Sequence, residues 1–511
     1  MEIPLTTKDH IERAALVYGD RIGVVDEPDQ PAPALPDLTY REVFDRSRAL
    51  AAGLERLGVP QGGRVAIVSH NAARMLTLLY GATAWGRIAV PANFRLNRAE
   101  IQYIIEHSGA EVTLIDPELA DDLADLDGTR SFVIGDDTDS EIYDFDSEPT
   151  PWDGTESDTA TVNYTSGTTA RPKGVEMTHR NLWVNAATFG WQAGVNDRDV
   201  YLHTLPMFHC NGWGMPFALA GMGAKQVVIR KVDGTEILRR VDQHGVTLLC
   251  GAPAVVAAIL DAAQSWDGPI PGPGRPRLVV AGAPPPTRTI ERMETELGWE
   301  FIQIYGLTET APLLTMSRTR AEWDELSPSD RAAKLARQGA PALGIRMRTA
   351  DDGEIHARGN VVLKSYWDQP EATDEALAEG WFHTGDGGYI DEDNYLNIAD
   401  RKKDVIISGG ENVSSIEVED CLFNHPDVTE VAVIGVPDEK WGETVKALVV
   451  LGEGADRDET ALIEHCRSHL AHYKCPTSIE FRAELARTAT GKLQKYKLRA
   501  PYWEDMDKQI N

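Results

Sequence analysis

Residues Tyr164 to Gly174 read Tyr-Thr-Ser-Gly-Thr-Thr-Ala-Arg-Pro-Lys-Gly, and five of the six residues after Tyr164 are hydroxylated or Gly. Hydroxyls and bare backbone are costly to bury unpaired, but they wrap the oxygens of a phosphate chain well, and Arg171 and Lys173 add positive charge. The stretch therefore reads as an anion cradle, with a polar surface loop as the plainer alternative. It is not the Gly-x4-Gly-Lys-Ser/Thr loop, which needs Gly where Pro172 stands and a hydroxyl where Gly174 stands.

The elements that must position this loop are strands and helices in alternation. A short buried strand is expected over Thr161 to Tyr164, directly before it. Further β-rich runs lie at Val65 to Val68, Val112 to Ile115, Val200 to Leu205, Val227 to Ile229, Thr247 to Leu249 and Leu278 to Val280. Helical stretches such as Ala72 to Trp85 and Ala254 to Ala263 separate them. This order implies βαβ units and parallel-rich sheets, hence an α/β fold. The acidic segment Asp136 to Asp158 reads as an exposed connection, and the charged run Arg318 to Arg337 as a solvated helix. Near Asp400 the character changes. The β runs Val405 to Ile407, Val431 to Gly435 and Ala447 to Leu451 and a helix near Glu459 to Leu470 suffice for a small α+β domain. The expected division is 1–400 and 401–511.

At 511 residues the chain is long enough for more than one core. Fifty Lys and Arg against 80 Asp and Glu give a net charge of −30, which argues against sequence-independent binding to nucleic acid or to an anionic membrane. Five cysteines without paired or metal-type spacing read as free thiols in a reducing compartment. The N-terminus lacks a basic segment followed by an apolar run, and no stretch approaches the ~20 apolar residues of a membrane span, so a soluble, cytoplasmic protein is expected.

Four more stretches carry chemistry: Gly282-Ala283-Pro284 after the strand ending at Ala281, Tyr305-Gly-Leu-Thr308-Glu309-Thr310 after Phe301 to Ile304, Gly380-Trp-Phe-His-Thr-Gly385-Asp386, and Thr490-Gly491-Lys492. Ligand sites of open α/β sheets gather where strands end. Taken with the opening loop, in this order and at this spacing, the chain resembles the adenylate-forming superfamily of acyl-CoA synthetases, luciferases and peptide-synthetase adenylation domains over essentially its whole length. The run Leu205-Pro-Met-Phe-His-Cys-Asn-Gly-Trp213 resembles the acyl-CoA synthetase branch. The resemblance implies a large N-terminal domain, a small mobile C-terminal domain and an active site between them.

What the resemblance implies follows residue by residue. Thr165, Ser166, Gly167, Thr168, Thr169 and Lys173 match the loop that holds the β and γ phosphates of ATP, with Ala170 standing where most members have Gly. Thr308 matches a phosphate contact and Glu309 the carboxylate that helps hold Mg²⁺. Gly282 and Ala283 match the adenine wall, Tyr305 the stacking residue, Asp386 the ribose acceptor and Arg401 a ribose or phosphate contact. Lys492 matches the catalytic cation at the meeting of the substrate carboxylate and the α-phosphate.

For the second half-reaction the resemblance implies a hinge at Lys403, with Gly409, Gly410 and Glu411 brought toward the tunnel for the CoA thiol. Trp441 and Tyr473 resemble positions that pack on the CoA nucleotide. Phe208 is followed by His209 rather than by the Asp that pairs with an amino-acid ammonium, so α-amino acids are not expected. His209, Asn211, Trp213 and Gly306 are expected to line an apolar acyl pocket, with Trp213 limiting its depth. The implied reaction is ATP-dependent ligation of a carboxylic acid to CoA through an acyl-adenylate. The alternative acceptor is a separate carrier protein.

Overall fold

The computed structural model describes residues 2–165, 172–272, 274, 276–282, 285–401, 406–408, 411–438, 441–487 and 493–503. Two large sheets dominate. One places the parallel strands Thr159–Thr165, Ile88–Ala92, Arg64–Val68, Val112–Ile115 and Arg130–Val133 side by side, with Lys173–Thr178 and then Ser365–Tyr366 added antiparallel at one edge. The other runs parallel through Glu300–Gly306, Arg277–Val280, Leu248–Gly251, Val200–His203, Lys225–Val228 and Ile22–Val25, closed by antiparallel strands at both edges. Central strands such as Val112–Ile115 and Leu248–Gly251 are fully buried because both sheet faces are covered, as parallel sheets require.

The helix Ala73–Thr83 shows what joins the layers. Every residue in it is buried, so it has no solvent face. Burying Arg74 inside such a helix requires a counter-charge, and Asp139 provides it, 3.0 Å from the guanidinium Nε, while Pro33 O accepts from Nη1 at 2.7 Å. This corrects the expectation for the acidic segment. Its first part is the helix Asp136–Ile142, with Ile142 and Tyr143 buried, because Asp139 is drawn inward by Arg74. The run Arg318 to Arg337 is likewise not one solvated helix. Ser327 caps a short helix, Pro328–Leu335, that begins on a Pro, while Trp323 is buried and Arg331 forks onto Glu294 at 2.5 and 2.9 Å.

A four-stranded antiparallel sheet, Arg346–Thr349, Glu354–Arg358, Phe382–Ile390 and Leu396–Arg401, follows the two large ones. Beyond it lies a small α+β unit with its own core, in which the hairpin Val428–Asp438 and Gly442–Leu451 is extended by Ser478–Phe481 in parallel and covered by the helices Ser415–Phe423 and Glu459–His469. Thr287 N donates to Asp420 Oδ1 at 2.9 Å, linking this unit to the large one. The α/β class and the large-plus-small organisation expected from sequence are therefore present.

Three histidines sit in the interior of the large unit. Burial pushes His10, His179 and His203 from the ordinary 6.5 down to about 4. A depressed imidazole binds fewer protons folded than unfolded between these values, so stability is full above pH 6.5 and is lost as pH falls toward about 4. His203, whose Nε2 bonds Gln226 Oε1 at 3.0 Å, is the simplest to replace. Urea midpoints measured across this window should fall with pH, and His203→Gln should flatten the slope by about one proton; an unchanged slope would remove His203 from the account.

Candidate active site

The phosphate-type loop joins two antiparallel strands, with Thr165 opposite Lys173 in register. Ser166, Gly167, Thr168, Thr169 and Ala170 lie outside the described residues, as do Ala283, Lys403, Gly409, Gly410 and Lys492. The backbone of Arg401 pairs with Asp386 across the strands Phe382–Ile390 and Leu396–Arg401. Glu411 likewise is placed by its backbone, opposite Ser408.

Next to the loop the structure brings several predicted residues together. The strand Glu300–Gly306 ends in a tight turn, Thr308–Thr310, fixed by Leu307 N donating to Thr310 Oγ1 at 3.0 Å and Thr310 Oγ1 to Pro312 O at 2.6 Å. The turn presents Thr308 and Glu309. Tyr366 donates its hydroxyl to Glu309 Oε1 at 2.9 Å, and Lys173 Nζ lies 4.8 Å from the centre of the same ring. One aromatic side chain thus contacts the anion through its hydroxyl and the cation through its ring. Among the described residues, Glu309 Oε2 accepts no hydrogen bond, which leaves an oxygen donor suited to a hard cation. Tyr305 donates to Asp386 Oδ2 at 2.7 Å, fixing the carboxylate opposite Arg401.

Tyr366 was not picked out from the sequence. It is delivered by a strap whose placement depends on Asn181, the third residue of a capping box with Thr178. The Asn181 amide nitrogen donates to Asn360 O and Val362 O at 2.7 and 2.9 Å, after which Leu363 N reaches Glu309 O at 2.7 Å and Tyr366 pairs with Val175. Only the strand pairing reveals this role, since a Tyr in Lys-Ser-Tyr-Trp carries no local signal.

The run Cys210 to Gly214 is a left-handed turn, with φ of 47, 53, 61, 59 and 75°. Only Gly enters this region freely, and Asn more readily than most, so Cys210 and Trp213 are strained there. Hydrogen bonds hold the turn in place. Asn211 Nδ2 donates to Thr161 Oγ1 at 3.1 Å and to Asn163 Oδ1 at 3.2 Å, while Asn163 Nδ2 returns a bond to Asn211 Oδ1 at 3.1 Å. Asn185 Nδ2 donates to Trp213 O at 3.1 Å. The Asn211 amide is therefore directed at the strand that enters the phosphate loop. Cys210 Sγ donates to Thr308 Oγ1 at 3.1 Å, and burial pushes the thiol from 9.0 up to about 12, keeping it protonated. Trp213 is buried, and His209 directly precedes the turn in extended backbone.

Gly306 sits where a Cβ would meet Pro312 O at 1.6 Å, so its backbone packs directly on that carbonyl and no side chain fits. Gly282 closes the strand Arg277–Val280 with φ +96°. Trp441 and Tyr473 are 48% and 49% exposed, so neither is a core residue of the small unit.

With this geometry in view, the comparisons with known proteins identify the class. The chain belongs to the AMP-binding enzyme family: the family's sequence model matches residues 11–367, and that of the AMP-binding enzyme C-terminal domain matches residues 417–492. It is 36% identical to 2-methylpropanoate–CoA ligase CCL4 of Humulus lupulus, covering 97% of this chain and 95% of that one. It is 35% identical to 4-hydroxybutyrate–CoA ligase 2 of Metallosphaera sedula, over 97% of this chain and 94% of the other. Among solved structures it is similar to the anthranilate CoA ligase AuaEII in complex with anthranoyl-AMP, with a TM-score of 0.87 at 26% identity and 98% of each chain covered. It is also similar to ATP-bound MatB from Rhodopseudomonas palustris, with a TM-score of 0.83 at 27% identity over 98% of this chain and all (100%) of that one. Another relative, an acetate/butyrate–CoA ligase of Arabidopsis thaliana, is named as peroxisomal. No helix among the described residues is long and apolar enough to cross a membrane.

Replacing Asn211 with Ala removes its amide from Thr161 and Asn163 and leaves a methyl residue at φ 53°. Asn211→Ala should lower stability by about 2 kcal/mol, read from denaturant midpoints. A loss below about 0.5 kcal/mol would show that these bonds do not hold the turn.

Proposed function

We propose that this protein is an ATP-dependent ligase that joins a short aliphatic carboxylic acid to CoA through an acyl-adenylate, releasing pyrophosphate in the first step and AMP in the second. The observation that carries this reading is the convergence of Lys173, Thr308 and Glu309 on Tyr366 and Cys210 at the end of one strand, beside the hairpin that bears the phosphate-type loop. It is supported by full-length similarity to enzymes named as ligases of CoA with 2-methylpropanoate, acetate or butyrate, and 4-hydroxybutyrate. CoA is favoured over a carrier protein as acceptor on the same ground.

In this reading the acid carboxylate attacks the α-phosphorus, and the bond to the pyrophosphate oxygen breaks. Thr165 to Thr169 and Lys173 hold the leaving pyrophosphate, with Thr308 at the phosphates. Tyr305 stacks on adenine beside Gly282 and Ala283, and its hydroxyl fixes Asp386 for the ribose. Arg401 adds a ribose or phosphate contact from the paired strand. Lys492 brings its charge to the point where carboxylate and α-phosphate meet. Mg²⁺, held by Glu309, neutralises phosphate charge when bound. The thiol of CoA then attacks the acyl carbonyl and AMP leaves. Rotation about Lys403 presents Gly409, Gly410 and Glu411 to the thiol, with Trp441 and Tyr473 as exposed rings for the CoA nucleotide. Trp213 walls the acyl pocket with His209 and Gly306 and keeps it short. All five cysteines are free and buried, which supports a reducing, cytoplasmic setting.

Incubation with ATP, labelled pyrophosphate and a graded acid panel should give label exchange into ATP that is strongest for acids of short chain. No exchange with any acid would refute the adenylation, and a preference for long-chain or aryl acids would refute the pocket. Supplying CoA or a phosphopantetheinyl carrier protein to the adenylate decides the acceptor. Lys492→Ala should slow adenylation by ~100- to 1000-fold while sparing thioester formation from supplied acyl-AMP; equal loss in both steps would refute its assigned role.

A further inference from the structure

Three of the five cysteines, scattered in sequence, share the core of the small unit: Cys421, Cys466 and Cys475. Cys421 and Cys466 come together because the helices Ser415–Phe423 and Glu459–His469 pack on one another over the sheet. The second helix also carries His465 and His469, which a spacing of four residues places on one face. A donor atom each of Cys421, His465 and His469 lies within 4.8 Å of the other two.

The hydrogen bonds around these rings suit ligation. His469 Nδ1 donates to His465 O at 2.7 Å, and His465 Nε2 to Cys421 O at 3.0 Å. In each ring one nitrogen carries the proton to a carbonyl, so the other keeps its lone pair, which is how backbone carbonyls commonly fix the tautomer of a metal-binding histidine. Cys466 shares the same buried core as Cys421. Cys421 is buried, His465 half-buried and His469 exposed, so the group runs from the core to the surface. The ring of His425 lies 5.2 Å from that of His465 and borders a cleft of about 200 Å³ lined also by Asp427, Asp456 and Asp458, an acidic approach for a cation.

Another grouping, Glu354, His356 and His383, is less suited. There Arg348 Nη2 lies 3.2 Å from His356 Nδ1, and its fixed positive charge opposes a second cation.

We infer that Cys421, His465 and His469 form a site for a borderline-soft divalent cation of the Zn²⁺ class, with the fourth position open to solvent. One thiolate and two imidazoles match the preference of Zn²⁺ and exclude Mg²⁺, which takes oxygen donors. Zn–S and Zn–N bonds of ~2.3 and ~2.0 Å require the three donors to draw together by ~1 Å, within reach of side-chain rotation about χ1 and χ2. Binding releases the Cys421 proton and cross-links the two helices, so the ion stabilises the folded small unit.

The test uses the metal-stripped full-length protein without nucleotide, titrated with Co²⁺ and then with Zn²⁺ in the presence of excess Mg²⁺. The expected result is one equivalent of Co²⁺ with a sulfur-to-cobalt charge-transfer band, displaced by Zn²⁺ and not by Mg²⁺. Cys421→Ser should abolish the band. The exposed His469→Gln, which is safe for folding, should weaken binding by at least ~10-fold while leaving acid-dependent pyrophosphate exchange unchanged. Absence of stoichiometric binding, Co²⁺ spectra without thiolate character, or full affinity retained in His469→Gln would each overturn the site.

Discussion

The arrangement depends on a reciprocal pair of amide hydrogen bonds between Asn163 and Asn211. Asn163 belongs to the strand that runs into the phosphate-type loop, and Asn211 to a turn of the opposite hand from an ordinary helix. A left-handed run costs roughly 1–2 kcal/mol per residue, and persists only where its surroundings compensate. Here the compensation comes from buried amide partners, which also set the distance between the loop strand and the segment bearing His209, Cys210 and Trp213. Because Cys210 reaches Thr308 from the same turn, three segments distant in sequence are held in one register.

The second constraint is electrostatic. A chain with a net charge of −30 must gather its cations locally to receive polyphosphate. Lys173 is held over the Tyr366 ring rather than against a carboxylate, while the hydroxyl of the same ring bonds Glu309. The two charged groups thus share one ring without meeting in a direct ion pair.

Much of the fold was legible because parallel strands covered on both faces are short apolar runs. Val112–Ile115 was read to the residue, and the strand before the loop was too short only at its ends. The failures have physical causes. Asp136–Ile142 looked like a solvated connection because the Arg that draws Asp139 inward lies in a distant helix. Arg318 to Arg337 has helical composition throughout, but the Ser327-Pro328 start confines the helix to its second half. Thr308, Glu309, Tyr305 and Asp386 were picked out as motif residues, and the structure gives each a place beside the strand Glu300–Gly306. Tyr366 and the Cys210 contact were not, since one depends on edge-strand pairing and the other on a backbone hand that Cys and Trp do not signal. The proximity of Cys421 to Cys466 was likewise hidden, because no spacing rule links two separate helices that pack on one another.

Gly306 has a consequence for how such a protein diversifies. Its Cα faces a carbonyl so closely that no side chain of any size fits, and the facing strand cannot withdraw without undoing the turn that carries Thr308 and Glu309. Substitution is therefore closed at this position, and the path of the chain into the turn is fixed by backbone fit rather than by a side chain. Variation near this turn must come instead from neighbouring positions, and in the Cys210–Gly214 segment each change is constrained by the left-handed backbone that displays it.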